Sequence, residues 1–218
     1  MRPIRIAIAG VGNCASALLQ GIQYYRRATP ASARRAVPGL LHPRIGPYAP
    51  ADITVVAAFD VDARKVGRPL DVAALAAPNC TTRFITRFPR YGTRVQMGPV
   101  LDGIAPHMRR YPPSQTFVLA KARAVNVAKA LKSAGADILL NYLPVGSQRA
   151  TEAYAEACLE AGVSLINCIP VFIASDHRWA ARFTKRGIPL IGDDVKSQVG
   201  ATMLHRALAR LFTERGAA

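Results

Sequence analysis

The stretch Ile4-Arg5-Ile6-Ala7-Ile8-Ala9-Gly10-Val11-Gly12-Asn13-Cys14-Ala15 begins as an apolar run and breaks at a glycine. A short, nearly continuous apolar run ended by a turn residue is the pattern of a strand buried on both faces of a parallel sheet. The next six residues, Gly10 to Ala15, fit Gly-x-Gly-x-x-Gly/Ala at the point where a strand gives way to a helix, the setting in which that spacing binds a dinucleotide. Gly10 permits the tight turn, Gly12 lets a pyrophosphate approach the backbone, and Ala15 allows helix and strand to pack closely. Amides at the start of the helix then meet the negative charge.

Further along, the same grammar recurs. Apolar runs at 53–59, 137–141, 163–167 and 189–191 each end in a turn signal: Asp60; Leu143-Pro144-Val145-Gly146; Pro170; and Gly192-Asp193-Asp194. Helical periodicity predicts helices over 16–25, 125–133, 148–161 and 197–212, with Ala153, Ala157 and Ala161 on one stripe of the third and Gly216 just past the end of the last. Strands alternating with helices predict an α/β fold, a doubly wound parallel sheet of the Rossmann type. The reading is one dinucleotide-binding domain over 1–218 with loop insertions at about 26–50 and 78–114, both rich in Pro, Gly and Arg. Loops this long in a compact domain are usually functional.

Composition narrows the functional classes. Half of the 218 residues are hydrophobic and 7% are aromatic, which suits a core packed with Ala, Val, Leu and Ile. No apolar run reaches the roughly 20 residues that span a bilayer, and the first run enters a glycine turn as a strand does, so neither a membrane anchor nor a signal peptide is expected and the location expected is cytoplasmic. Four cysteines and four histidines are scattered without Cys-x-x-Cys spacing, so no metal site is expected. The net charge of +16 raises nucleic-acid binding. Arginine outnumbers lysine 23 to 6, the basic residues are spread along the chain, and no nucleic-acid-binding motif accompanies them, so no nucleic-acid partner is expected.

Three further turns carry candidate chemistry. Phe59-Asp60-Val61-Asp62 ends the second run, where an acid takes the adenine ribose hydroxyls and favours NAD over NADP; a plain turn acid is the alternative. Asp60 lies 48 residues past Gly12, and the 26–50 insertion accounts for that gap. Arg64 and Lys65 are of the type that accommodates a 2′-phosphate, which keeps NADP as the alternative. Tyr142-Leu143-Pro144-Val145-Gly146-Ser147 stands at the carboxyl end of a central strand, where open α/β sheets bind ligands. Gly192-Asp193-Asp194-Val195-Lys196-Ser197 precedes a helix and could hold a cofactor, a cation or a phosphate, or serve only as a cap.

Together these residues resemble the myo-inositol-phosphate synthase (inositol-3-phosphate synthase) family in its compact prokaryotic form. The likeness runs through Ala9 to Ser16, Val37-Pro38-Gly39-Leu40, Ala57 to Asp62, Gly98-Pro99-Val100-Leu101-Asp102-Gly103-Ile104, Tyr142 to Ser147, Pro170 to Asp176, and Gly192 to Thr202. It is weakest over 79–94. The resemblance implies NAD-dependent isomerisation of glucose 6-phosphate to inositol phosphate by oxidation, enolisation, intramolecular aldol closure and reduction, in inositol and phospholipid biosynthesis. By position it implies that Gly10, Gly12, Asn13 and Cys14 hold the pyrophosphate and Asp60 the adenine ribose. Asp102, Gly103, Tyr142, Ser147, Asp193, Lys196 and Ser197 would line the rest of the cofactor cleft. It also implies a homotetramer. The family's tetramer core and catalytic lysines, with a Ser-Lys-x-x-Ser-Lys motif, are expected in a further part that this chain lacks, so no catalytic residue is assigned. A truncated synthase or a non-catalytic NAD-binding remnant is the expectation that follows.

Overall fold

A computed structural model describes residues 2–26, 39–40, 42–86, 88–104, 106–195 and 201–216. Six strands form one all-parallel sheet: β1 (Ile4–Ala9), β2 (Ile53–Asp60), β3 (Val95–Met97), β4 (Ile138–Asn141), β5 (Ser164–Asn167) and β6 (Leu190–Ile191). Their order across the sheet is β3-β2-β1-β4-β5-β6. This is the dinucleotide-fold order, and its reversal point lies between β1 and β4. The fold class is α/β, as the alternation of the sequence predicts.

Each strand of the centre is buried on both sides because helices cover both faces. Along β1 the alternation sends Ile6 and Ile8 to one side and Ala7 and Ala9 to the other. Against the isoleucines pack Leu19 and Ile22 of α1 (Asn13–Tyr25) and Leu70 of the short α2 (Leu70–Ala73). Against the alanines pack α3 (Val127–Ala134), α4 (Gln148–Ala161) and, through Phe183, α5 (His177–Lys185). The small side chains of Ala7, Ala9 and Ala57 leave space for Phe59 and Tyr154, whose rings lie 5.9 Å apart. α3 and α4 each end on a left-handed glycine, Gly135 at φ 60° and Gly162 at φ 74°, the conformation in which glycine stops a helix without strain.

Four sequence expectations need correction. The 78–114 stretch is not all loop, since it contains β3 and a 3₁₀ turn at Pro106–Arg110. α5 is absent from the sequence reading, because only Phe183 of its residues is buried and the apolar period is lost. The buried stripe of α4 runs through Ala150, Thr151, Tyr154, Ala155 and Cys158 rather than centring on Ala153 and Ala161. The last helix, α6 (Ala201–Glu214), runs two residues past the predicted end at 212, and its Leu204, Leu208, Leu211 and Phe212 face solvent. The 26–50 insertion falls largely outside the described residues; its described end carries a small bridge between Ile45 and Tyr48 and a 3₁₀ turn at Pro50–Asp52.

Candidate functional site

At the carboxyl ends of β1, β2 and β4 the loops part into an open cleft. Its empty space, including the part continuous with solvent, is about 770 Å³. The glycine turn forms its floor. Gly10 has φ +88°, and a Cβ there would lie 2.6 Å from the Tyr142 carbonyl oxygen, so backbone conformation and close approach both demand glycine. Gly12 differs. Its φ is −105° and nothing lies within 4 Å of where its Cβ would be. Neither its own backbone nor its neighbours require glycine; the missing side chain keeps the cleft open toward the helix end.

α1 starts at that point with no side-chain cap and no acid in its first turn. The first amides of a helix have no intrahelical partner. Elsewhere they are answered: Asn126 accepts from Lys129 N in α3, and Asp176 accepts from Arg178 N and Trp179 N in α5. At α4 the Asp102 carboxylate accepts from Arg149 N at 2.6 Å and Ala150 N at 2.9 Å. Among these four helices α1 alone presents its first-turn amides without a side-chain acceptor, and it presents them beside Gly12. An uncapped helix end, a turn with glycine at positions 10 and 12, and a lined cleft fit the pyrophosphate of a dinucleotide.

The other expected residues fall into two groups. Gly10, Gly12, Asp60, Gly103 and Tyr142 line the cleft together. Asn13 is at its edge: its side chain accepts from Cys80 N at 3.1 Å and its carbonyl accepts from Thr81 Oγ1 at 3.1 Å, which lays 79–81 along the start of α1. Cys14 is exposed in the first turn of α1. Asp102 is engaged as the α4 cap, and Ser147 is fully buried with its hydroxyl donating to the Pro144 carbonyl. Asp193 turns away into a loop. Its carboxylate accepts from Asn167 Nδ2 at 2.8 Å and from the amides of Ile173, Ala174 and Ser175. Burial opposes ionisation there, but those four donors together hold its pKa below the usual carboxylate range. Lys196 and Ser197 lie outside the described residues. Among the described residues no cluster of three or more His, Cys, Asp and Glu gathers that could hold a metal ion.

Asp60 ends β2 with three backbone amides and one cation around its carboxylate. Oδ2 accepts from Val11 N at 2.8 Å, Oδ1 accepts from Val61 N at 2.7 Å and Asp62 N at 2.9 Å, and the Lys65 ammonium lies 3.5 Å from Oδ2. Asp62, 2% exposed, is locked by Arg64, whose guanidinium also donates to the Pro113 and Thr116 carbonyls. Burial alone would raise the Asp62 pKa, but the Arg64 bonds and the Val118 amide bring it below the usual value. Burial raises the hydroxyl pKa of both Tyr142 and Tyr154, so each stays a neutral donor near neutral pH.

Sequence reasoning missed several of these positions. Tyr154 lines the cleft, and among the described residues no side-chain hydrogen bond engages its hydroxyl. It missed Asn141 and Asn167 as well, which are buried at the strand ends and joined at 2.8 Å, with Asn141 also reaching Thr151 Oγ1 at 3.1 Å. A visible signal for the pair was the asparagine that closes two apolar runs, Leu139-Leu140-Asn141 and Leu165-Ile166-Asn167.

No family model matches the chain. Over 213 residues, 98% of this chain and 56% of the relative, it is 53% identical to a Corynebacterium glutamicum protein named inositol-3-phosphate synthase. It is 50% identical, with the same coverage, to proteins of that name from Mycolicibacterium smegmatis and Mycobacterium tuberculosis. The chain spans just over half the length of these relatives. Among solved structures, Ari2 superposes with a TM-score of 0.80 at 39% identity, over 98% of this chain and 61% of that one. A myo-inositol-1-phosphate synthase-related protein from Thermotoga maritima shares the fold, with a TM-score of 0.66 at 20% identity, over 98% of this chain and 60% of that one. No helix among the described residues is long and apolar enough to cross a membrane.

Proposed function

The chain belongs, over 98% of its length, to the inositol-3-phosphate synthase family, and from that premise we propose that it carries the NAD cleft of such an enzyme. The activity proposed is the isomerisation of glucose 6-phosphate to inositol phosphate in the cytoplasm, for inositol and phospholipid synthesis. The observation that carries the reading is the uncapped start of α1 beside Gly12, at the switch point of the sheet. Gly10 makes the turn, Gly12 leaves room for the pyrophosphate, and the first-turn amides from Asn13 onward donate to it. NAD, when bound, supplies a reversible hydride acceptor. Tyr142 and Gly103 close the cleft wall. Asp102, Ser147 and Asp193 act by fixing the loops that shape it, and Lys196 and Ser197 remain assigned by resemblance alone.

NAD binding without turnover is the second reading, and one observation favours it. The carboxylates lining the cleft are Asp60 and Asp62, and both are committed to structural partners, Asp60 to three backbone amides and Asp62 to Arg64, so neither stands ready as a general base. Calorimetric titration of the 218-residue chain with NAD, followed by an assay for inositol phosphate from glucose 6-phosphate, decides between them. Binding with product supports the synthase reading, binding without product supports the second, and no binding removes both.

A further inference from the structure

Five residues after Asp60 the sequence places Lys65, and the fold turns that lysine inward. It is 7% exposed and lines the cleft. Its ammonium has a single partner among the described residues, Asp60 Oδ2 at 3.5 Å. An ammonium carries three donors, so most of its hydrogen-bonding capacity is unused, at a depth where a buried cation needs partners.

Asp60 is the reverse case. A carboxylate offers about four lone-pair positions. Three backbone amides take three of them, and the Lys65 ammonium lies 3.5 Å from Oδ2. An acid at this strand end holds a ribose by accepting from its hydroxyls and repels a 2′-phosphate by like charge. Three amides take most of the Asp60 capacity for the first task, and the adjoining ammonium offsets its charge for the second. The other nearby cation, Arg64, is spent on Asp62 and two carbonyls. Lys65 is thus the cleft's donor at the ribose corner.

We propose that Lys65 contacts the ribose end of the bound dinucleotide, and that the cleft therefore accepts NADP as well as NAD. This rests on the dinucleotide reading above. A compact ammonium is a good partner for a phosphate, and it donates equally to an unmodified ribose hydroxyl.

The test is calorimetric titration of the full chain and of Lys65→Met and Lys65→Arg with NAD and with NADP at low salt. The expected result is NADP affinity within about tenfold of NAD for the unaltered chain, since one charge-assisted hydrogen bond is of that size. Lys65→Met should weaken NADP by about tenfold more than it weakens NAD, and Lys65→Arg should restore the ratio. NAD binding without detectable NADP binding overturns the proposal, as does equal weakening of both by Lys65→Met. If Lys65→Met does not fold, the NADP-to-NAD ratio of the unaltered chain decides alone. Failure of both dinucleotides to bind removes the dinucleotide reading itself, a distinct outcome.

Discussion

The Asp193 carboxylate and the Asn167 side-chain amide meet at 2.8 Å, and through Asn141 that contact reaches Thr151 in α4. This buried polar chain ties together the carboxyl ends of β4, β5 and β6. Because four donors lower the Asp193 pKa against the opposing effect of burial, the group binds its proton more tightly in the unfolded chain. Its contribution to stability is therefore present above the unfolded carboxylate value, about 4, and is lost as pH falls through the lowered folded value. Asp62 and Asp137 act in the same direction, each with burial outweighed by bonds from Arg64 or Arg5. Denaturant unfolding as a function of pH should show stability falling below about pH 4. Asp193→Asn should be less stable at neutral pH and should lose stability less steeply on the acid side, by at most about 1.4 kcal/mol per pH unit, the linkage of one proton. An acid limb unchanged in the variant would show that Asp193 is not among the groups being titrated.

Asp102 gives a second prediction. It caps α4 from a loop 47 residues away in sequence. Asp102→Ala should destabilise the fold by about 1 kcal/mol, the usual cost of a lost helix cap, which for a chain of this size lowers the melting temperature by about 2–4 °C. A cofactor contact would instead lose NAD affinity at an unchanged melting temperature. Thermal melts of the variant with and without NAD separate the two roles.

The fold was legible because the strands of a buried parallel sheet are apolar throughout, and each long run ends in a turn residue. Ile4–Ala9 was readable to the residue. β3 was not, because three residues between glycines and prolines carry no period. α5 was hidden by its polarity, although Asp176 marks its start. The glycine turn and Asp60 were legible as cleft residues because each stands at the carboxyl end of an apolar run. Asp102, Ser147 and Asp193 were legible only as neighbours of the cleft. Whether a carboxylate faces a ligand or a run of amides depends on the loop that closes over it, and local sequence does not encode that. Lys65 was legible as a 2′-phosphate partner but not as a buried residue of the cleft, because its inward turn depends on the partner it finds in Asp60.

The cysteines yield a third prediction. Cys14 and Cys80 are exposed, while Cys158 and Cys168 are buried. Burial raises the thiol pKa of Cys158, and it pushes that of Cys168 up to about 11. Near pH 8 it is the thiolate that attacks a thiol-directed reagent, so the exposed pair should react first and the buried pair only on unfolding. Cys14 lies in the first turn of α1, against the proposed pyrophosphate position. Saturating NAD should slow its labelling and leave Cys80 less affected, as followed by mass spectrometry of labelled peptides. Equal rates for Cys14 with and without NAD would place the cofactor elsewhere.

Gly10 and Gly12 make opposite predictions although only Val11 separates them. At Gly10 an alanine meets the Tyr142 carbonyl at 2.6 Å with φ at +88°. Gly10→Ala should destabilise the fold by about 1–3 kcal/mol from the strained backbone alone, with the steric contact adding to it. At Gly12 an alanine meets nothing within 4 Å and keeps an ordinary φ of −105°. Gly12→Ala should therefore fold with a melting temperature close to that of the unaltered chain, while its methyl group projects where a pyrophosphate must approach the amides of α1. The expected result is NAD binding weakened by about tenfold or more, equivalent to about 1.4 kcal/mol, in a protein whose unfolding is unchanged. Stability and affinity falling together would show that Gly12 is needed by the fold. Neither falling would mean that nothing approaches this turn, and the feature that best distinguishes α1 from the other helices would have no ligand to answer it.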